Sequence, residues 1–175
     1  MAITRLNLNE FDEPDYELIA IHTPLEDYRL AFFLNRTLNI ALSANPAGVP
    51  VITQKGESVF SRFTYVDNDQ FVWELLQNKT ELLTGELPTQ DLFGEPSANL
   101  RAYLLPEFKT VDYLLKIDAW LMSRMQIVEV LADIEPIVAA YVIDQERVKS
   151  QNNLILLEHA NIQKDKNRRD TWAGL

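Results

Sequence analysis

The sequence contains no cysteine, only five glycines and only two histidines among 175 residues. Without cysteine there is no disulfide, no thiol nucleophile and no thiolate-held zinc or iron–sulfur site. The few glycines form no phosphate-binding loop, and the two histidines, His22 and His159, show no metal-ligand spacing. We therefore expect no cofactor and no bound metal.

Long apolar runs and an excess of positive charge are also missing. No run approaches the ~20 residues of a membrane-spanning helix, and residues 1–8 contain no apolar run of signal-peptide length. The net charge of −10 opposes binding to phosphate backbones and to anionic membrane surfaces. These features predict a soluble, cytoplasmic protein with no nucleic-acid or membrane partner.

The hydrophobic content of 47% suits one globular domain. We expect an N-terminal arm at residues 1–14, a single domain at 15–158 and a disordered tail at 159–175. Within the domain, residues 84–99 contain two glycines and two prolines and show no hydrophobic period. This segment predicts a long loop, either a tolerated insertion or a functional loop in which Phe93 docks on the body.

Residues 104–118 form the stretch around which the chain is organised. Alternate residues are apolar at Val111, Tyr113, Leu115 and Ile117, which is typical of a half-buried strand. Residues 100–105 alternate in the same way, and Pro106 between the two runs favours a turn. The pattern predicts a β-hairpin with Glu107 at its tip.

The same stretch carries a family resemblance. Leu105-Pro106-Glu107, three further residues and then Val111-Asp112-Tyr113 are similar to the signature of the IPExxxVDY family of small proteins of Bacteroidota, with leucine in place of the usual isoleucine. The resemblance extends over residues 15–157. It implies a whole-domain relationship, but the family has no established activity, cofactor or catalytic residues to carry over.

Thr23-Pro24-Leu25-Glu26 is a capping-box pattern and predicts a helix that continues to about Asn39. Its wide apolar arc predicts burial on most sides, and its polar stripe consists of Glu26, Arg29 and Arg36. The arc comprises Leu25, Tyr28, Ala31, Phe32, Leu34 and Leu38. Asn35 falls inside the arc and needs a hydrogen-bonding partner there.

Periodicity predicts the remaining elements. We expect a strand before the helix, a second strand at 40–43, a hairpin of 58–66 with 70–77, a helix at 119–133, a central strand at 137–143, a helical turn at 144–150 and an extended segment or strand at 153–158. One mainly antiparallel sheet with both helices on one face accounts for this order. The sequence therefore predicts a two-layer α+β fold.

The candidate binding residues are polar or special residues near the predicted hairpin and on the first helix: Arg29, Asn35, Pro106, Glu107, Asp112 and Tyr113. Glu107 and Asp112 could form an acid/base pair only if a cleft brings them together. The structural alternative pairs Glu107 with Lys109 or Arg29 and bonds Asp112 to backbone. Tyr113 is expected to find a hydroxyl partner at the core edge, and His22 to cap or pack.

No complete catalytic constellation is visible, so we assign no catalytic residue. The favoured hypothesis is a non-enzymatic binding or adaptor domain that engages a protein partner. The alternative is a small-molecule-binding domain or a hydrolase that uses the carboxylates of Glu107 and Asp112. A homodimer formed through an exposed strand edge stays open.

Overall fold

The computed structural model describes residues 16–53, 56–68, 71–81, 101–117 and 124–155. These residues form ten strands and two α-helices. In chain order they are β1 (Glu17–His22), α1 (Asp27–Leu38), β2 (Ser43–Ala44), β3 (Val49–Thr53), β4 (Gly56–Phe60), β5 (Arg62–Val66), β6 (Val72–Gln77), β7 (Lys79–Glu81), β8 (Arg101–Tyr103), β9 (Tyr113–Ile117), α2 (Arg124–Ala132) and β10 (Ala139–Val142). The predicted arm, long loop and tail lie outside the described residues.

Six strands form one antiparallel sheet in the order β10-β1-β9-β6-β5-β2. The two small sheets are the hairpin of β3 with β4 and the pair of β7 with β8. All five residues of β9 are buried, as are five of the six in β6. These strands are apolar on both sides because both faces of the sheet are covered.

Both helices lie on one face of the sheet, as predicted. Leu30 and Leu34 of α1 and Ile127 and Leu131 of α2 belong to one buried cluster with the sheet residues of that face. The sheet residues are Ile19, Ile21, Phe63, Trp73, Leu75, Tyr113, Leu115 and Ile117. The predicted α+β fold with a mainly antiparallel sheet is therefore confirmed.

The other face of the sheet carries a second core. Leu18, Ala20, Leu76 and Leu114 point to this face, one position out of step with the residues under the helices. Segments outside the two α-helices cover this face. The buried residues of those segments include Val49, Val51, Phe60, Ala102, Leu104, Leu105, Phe108, Val111, Val148 and Leu154. The 3₁₀ turns Pro106–Phe108 and Gln151–Leu154 supply two of these segments.

The predicted hairpin around Pro106 is wrong. β8 pairs with β7 in a small sheet, whereas β9 pairs with β1 and β6 in the large one. The residues between them form the 3₁₀ turn Pro106–Phe108. Strand alternation is a local property, but partner choice is not, so two correctly predicted strands were paired with each other instead of with distant strands.

The predicted start of the first helix is also wrong. Helix α1 begins at Asp27, after Glu26, which is extended and makes no side-chain capping bond. The Thr23 hydroxyl instead accepts a hydrogen bond from Leu25 N at 3.2 Å and donates one to Pro136 O at 2.7 Å. Thr23 therefore holds the turn before the helix. The helix ends where predicted, with Asn39 in the left-handed conformation (φ 53°).

The predicted burial of the first helix on most sides is wrong as well. Leu30, Ala31 and Leu34 are buried, but Tyr28 and Phe32 are each 60% exposed. Their exposure leaves two aromatic rings one helical turn apart on the outer surface of α1.

The strand predicted as central at 137–143 is an edge strand, β10. Its run of apolar residues arises because Ile137 and Ile143, at its two ends, enter different cores. Ile137 packs under the helices and Ile143 packs on the opposite face. An uninterrupted apolar run therefore does not require a position in the middle of the sheet.

The remaining predictions differ mainly in their boundaries. The hairpin of β5 with β6 is confirmed, but the run predicted at 58–66 breaks at Ser61 into β4 and β5. The strand expected at 40–43 lies slightly later in the chain, as β2. The segment expected to be extended at 153–158 begins within the 3₁₀ turn Gln151–Leu154. The helical turn predicted at 144–150 is confirmed at Gln145–Arg147. Helix α2 ends at Ala132, before Pro136, and residues 118–123 lie outside the description.

Candidate functional site

Asp112 lies immediately before β9 and joins three separate parts of the chain. One carboxylate oxygen, Oδ1, lies 2.6 Å from Lys79 Nζ, and the other, Oδ2, accepts a hydrogen bond from Thr23 N at 3.1 Å. Lys79 also donates to Thr110 O at 3.1 Å. As predicted in the structural alternative, Asp112 bonds to backbone, and the lysine is an additional partner.

His22 and Tyr141 lie beside this ion pair. His22 Nδ1 is 3.9 Å from Asp112 Oδ2, and its Nε2 is 3.4 Å from the Tyr141 hydroxyl. The two rings are stacked with their centroids 5.7 Å apart. We call His22, Lys79, Asp112 and Tyr141 the polar cluster. It lies at the surface, since each of these side chains is partly exposed.

The polar cluster does not form a nucleophile–base–carboxylate chain. The distance of 3.9 Å between His22 and Asp112 is too long for the hydrogen bond that would orient a catalytic imidazole. The hydroxyl of Thr23, the next residue in the chain after His22, is donated to Pro136 O. The arrangement is that of a satisfied carboxylate with a neighbouring histidine.

Glu107 enters a different network. Its carboxylate accepts hydrogen bonds from Lys149 N at 2.6 Å, Ser150 N at 2.8 Å and Ser150 Oγ at 3.0 Å. Burial by itself raises the pKa of Glu107, but the hydrogen bonds from Ser150 and Lys149 outweigh it and hold the pKa below the usual 4.5. The expected partners, Lys109 and Arg29, are therefore replaced by the backbone of a distant segment.

Tyr113 finds a hydroxyl partner at the edge of the core, as predicted. Its hydroxyl donates to Leu25 O at 2.9 Å, which ties β9 to the turn before α1. Burial, together with the carboxylates of Asp27, Asp112 and Glu26, raises the pKa of Tyr113 to about 12. Tyr113 is therefore a neutral hydrogen-bond donor, not a proton acceptor, at physiological pH.

The structure does not bring the other three candidates to Asp112. Asn35 accepts from Leu42 N at 2.7 Å and donates to Leu42 O at 3.0 Å, so the partner that its position required is found in the following loop. Arg29 and Pro106 are exposed. Across the described ranges, neither Arg29 nor Asn35 forms a hydrogen bond or ion pair with Glu107 or Asp112.

Asn78 was missed as an important residue by sequence reasoning. Its side chain, fully buried, donates to Phe108 O at 2.8 Å and Val111 O at 3.0 Å and accepts from Leu105 N at 2.8 Å. The available signal was its position, since an asparagine directly after a buried strand needs several partners.

A buried group of charges was missed too. Glu74 lies between Arg62, whose Nη2 is 2.6 Å from Oε1, and Lys116, whose Nζ is 3.2 Å from Oε2. All three residues are buried, and Lys116 also lies 4.9 Å from the centroid of the Tyr16 ring. The alternation of β9 placed Lys116 on an outward face. In the structure, non-helical segments cover that face, and the sequence pattern did not predict this cover.

The donor groups give no sign of a metal centre. No group of three or more metal-ligating side chains occurs in the part of the chain that the structure describes. Neither α1 nor α2 is long and apolar enough to cross a membrane.

Comparison with protein-family models, with curated proteins and with solved structures found no match. The resemblance to the IPExxxVDY family therefore stays a prediction. The fold and contacts define an α+β protein with a sheet covered on both faces. Four of its candidate residues, Asn35, Glu107, Asp112 and Tyr113, hold segments of the chain together.

Proposed function

We propose that the protein is a non-enzymatic binding domain whose partner is another protein and whose contact surface is the outer side of α1. The observation that carries this proposal is the exposure of Tyr28 and Phe32, at 60% each. The two residues are four positions apart and so lie on one side of the helix. We call them the aromatic pair.

Exposed aromatic rings are costly in water and are enriched at the centres of protein interfaces. The aromatic pair is not needed for the core, because Leu30, Ala31 and Leu34 supply the buried side of the helix. Phe33 lies edge-to-face to Phe32 with the ring centroids 5.8 Å apart.

The charges around the aromatic pair are mixed. Glu26, Arg29 and Arg36 are exposed on the same helix or next to it, and they would form a polar rim around the two rings. A partner with an apolar groove bordered by charges of both signs fits this surface. The net charge of −10 makes a nucleic acid a poor partner.

The alternative, a small-molecule-binding domain or hydrolase based on Glu107 and Asp112, draws less support. Each carboxylate is occupied by hydrogen bonds within the fold, in two different networks. A carboxylate held in this way has fewer free acceptor positions for a substrate or a water molecule.

Capture of the partner by the full chain tests the proposal. Tagged wild type and the Tyr28→Ala/Phe32→Ala variant are incubated with lysate, and bound proteins are quantified and then rebound in purified form. Loss of the two rings should weaken binding by about tenfold or more, because such anchors dominate interface energy.

Ile52→Ala is the matched control, since Ile52 is 84% exposed and lies in β3, away from α1. It should bind like the wild type. Equal binding by the double alanine variant, or loss of binding in the Ile52 control, would reject the aromatic pair as the contact surface.

A further inference from the structure

Strand β10 is the outermost strand of the large sheet, and within the described residues it pairs with β1 on one side only. Ile143 N donates to Leu18 O at 2.8 Å, which fixes the phase of the ladder. Because antiparallel ladders alternate, Tyr141 turns its backbone polar groups toward β1, whereas Ala140 and Val142 turn theirs away. The outer edge of β10 therefore presents two unpaired ladder positions in this part of the chain.

The side chains along β10 are compatible with an added strand. Residues 137–143 contain no charged residue and no proline, both of which commonly block edge strands. Val138 is 79% exposed and Tyr141 is 41% exposed. Side chains on the same face of paired strands are neighbours, so an apolar residue of an added strand would cover the exposed part of Tyr141.

The surroundings of β10 are acidic at both ends of the strand. Residues 125–146 contain five acidic residues and no basic one, and all five acidic residues are exposed. They are Glu129, Asp133 and Glu135 before the strand and Asp144 and Glu146 after it. With Arg147 and Lys149 included, residues 125–149 contain five acidic and two basic residues, a net charge of −3. Any strand that pairs with β10 therefore meets negative charge before and after the paired positions.

We propose that the outer edge of β10 binds an extended segment of another protein, with lysine or arginine on both sides of a short apolar or β-branched core. The core would bond to the outward N–H and C=O groups of Ala140 and Val142, as in other cases of strand addition. The flanking basic residues would lie beside the acidic ends of β10. A second copy of β10 would instead bring acidic ends together. The edge is a separate surface from the aromatic pair, so this inference goes beyond the proposed function.

Binding of a defined peptide to the purified full chain tests the proposal. The probe is the fluorescein-labelled peptide Lys-Lys-Val-Thr-Val-Thr-Val-Lys-Lys, and fluorescence anisotropy is the measurement. We expect saturable binding that weakens as salt is added. The same peptide with glutamate in place of each lysine should bind about tenfold more weakly or worse.

N-methylation of the five central residues of the lysine peptide separates strand pairing from attraction between charges. The methylated peptide keeps its charge but cannot donate backbone hydrogen bonds, so its affinity should fall by about tenfold or more. If the unmodified lysine peptide does not bind, or if the methylated peptide binds equally well, the proposal is wrong.

Val142→Pro tests the edge from the side of the protein. It removes an outward N–H without touching the ladder to β1, and it should weaken peptide binding by about fivefold. Ala44→Pro is the matched control at the opposite edge of the sheet. Asn45 N donates to Arg62 O, so the N–H of Ala44 in β2 also points outward, and this variant should bind like the wild type. A folded Val142→Pro variant with normal peptide binding would overturn the proposal.

Charge reversal leaves the backbone of β10 intact and tests the acidic ends. The Asp144→Lys/Glu146→Lys variant should bind the lysine peptide about fivefold more weakly. Tyr28→Ala/Phe32→Ala should bind it like the wild type, because α1 is not part of this edge. Unchanged binding after charge reversal, or loss of binding in the variant without the aromatic pair, would show that the peptide does not bind at β10.

Discussion

Glu107 uses its carboxylate to hold the backbone of Lys149 and Ser150, and through them it attaches the 3₁₀ turn Pro106–Phe108 to the C-terminal part of the described chain. A carboxylate that accepts several N–H and O–H donors is most stable in its ionised form. Its charge therefore contributes to the stability of the fold.

The lowered pKa of Glu107 predicts a pH dependence. Because the folded-state pKa lies below the unfolded value near 4.5, the carboxylate stabilises the fold above that pH and loses the contribution as the pH falls through the folded pKa. Glu107→Gln should lower the free energy of unfolding by about 1–2 kcal/mol at pH 7. The difference from wild type should shrink below pH 4.5 in urea titrations.

Glu57→Gln provides the control for the loss of one negative charge, since Glu57 is exposed on β4. It should leave stability at pH 7 close to that of the wild type. If the Glu107→Gln variant has the same free energy of unfolding as the wild type at every pH, the carboxylate does not hold the turn.

For single residues, the sequence predicted which side chains need hydrogen-bonding partners, but it did not predict which groups those partners are. The need for a partner follows from burial, which the apolar period indicates for Asn35 and Tyr113. Their partners, Leu42 and Leu25 backbone groups, lie in irregular segments whose path the period does not describe. The same limit explains why Lys149 and Ser150 were not predicted for Glu107.

At the scale of elements, Asn78 joins the end of β6 to the segment that leads into β9. Its side chain makes three hydrogen bonds to backbone groups of Leu105, Phe108 and Val111. Its backbone N donates to Asp112 O at 2.9 Å, and its backbone O accepts from Leu104 N at 3.0 Å. Asn78, which lies between β6 and β7, therefore makes five of the hydrogen bonds that hold residues 104–112 in place.

Asn78→Ala should destabilise the protein strongly, because it removes three buried hydrogen bonds, and of the three backbone groups only Phe108 O keeps a second donor, Val111 N. We expect a loss of about 3 kcal/mol in the free energy of unfolding. The measurement is urea unfolding followed by circular dichroism and by tryptophan fluorescence.

Asn153→Ala is a graded control. Asn153 makes one such bond, from Nδ2 to Leu104 O at 2.7 Å, and it is only half-buried. Its loss should cost about 1 kcal/mol. If both variants lose a similarly small amount of unfolding free energy, Asn78 does not fix residues 104–112 to the end of β6.

The hairpin predicted around Pro106, in the segment that Asn78 holds, is the prediction that was wrong. Alternation correctly identified apolar strands on either side of Pro106, and the proline does begin a turn. The pairing of β8 with β7 and of β9 with β1 and β6 depends on contacts between residues far apart in sequence, including those of Asn78. Local periodicity carries no information about such contacts.

At the scale of the whole molecule, the large sheet is covered on both faces, by helices on one and by small sheets and turns on the other. The fold class followed from the order of strands and helices in the sequence. The layer of small sheets and turns on the second face could not be predicted in this way, because short strands and turns show little hydrophobic periodicity. That cover also explains why Arg62, Glu74 and Lys116 are buried on a face that alternation would leave in water.

Asn35, Glu107, Asp112 and Tyr113 are engaged inside the fold, whereas both rings of the aromatic pair are exposed. We propose that the aromatic pair on α1 is the surface that contacts another protein. On this proposal, function resides in that surface and not in the carboxylates of Glu107 and Asp112.

Site-specific photo-crosslinking in cells tests this claim most directly. Phe32 is replaced by p-benzoylphenylalanine in one variant and Ile52 in another, and adducts are identified after irradiation. We expect a discrete adduct with one other protein from position 32 and none from position 52. No adduct at position 32, or the same adducts from both positions, would show that the aromatic pair is not the contact surface.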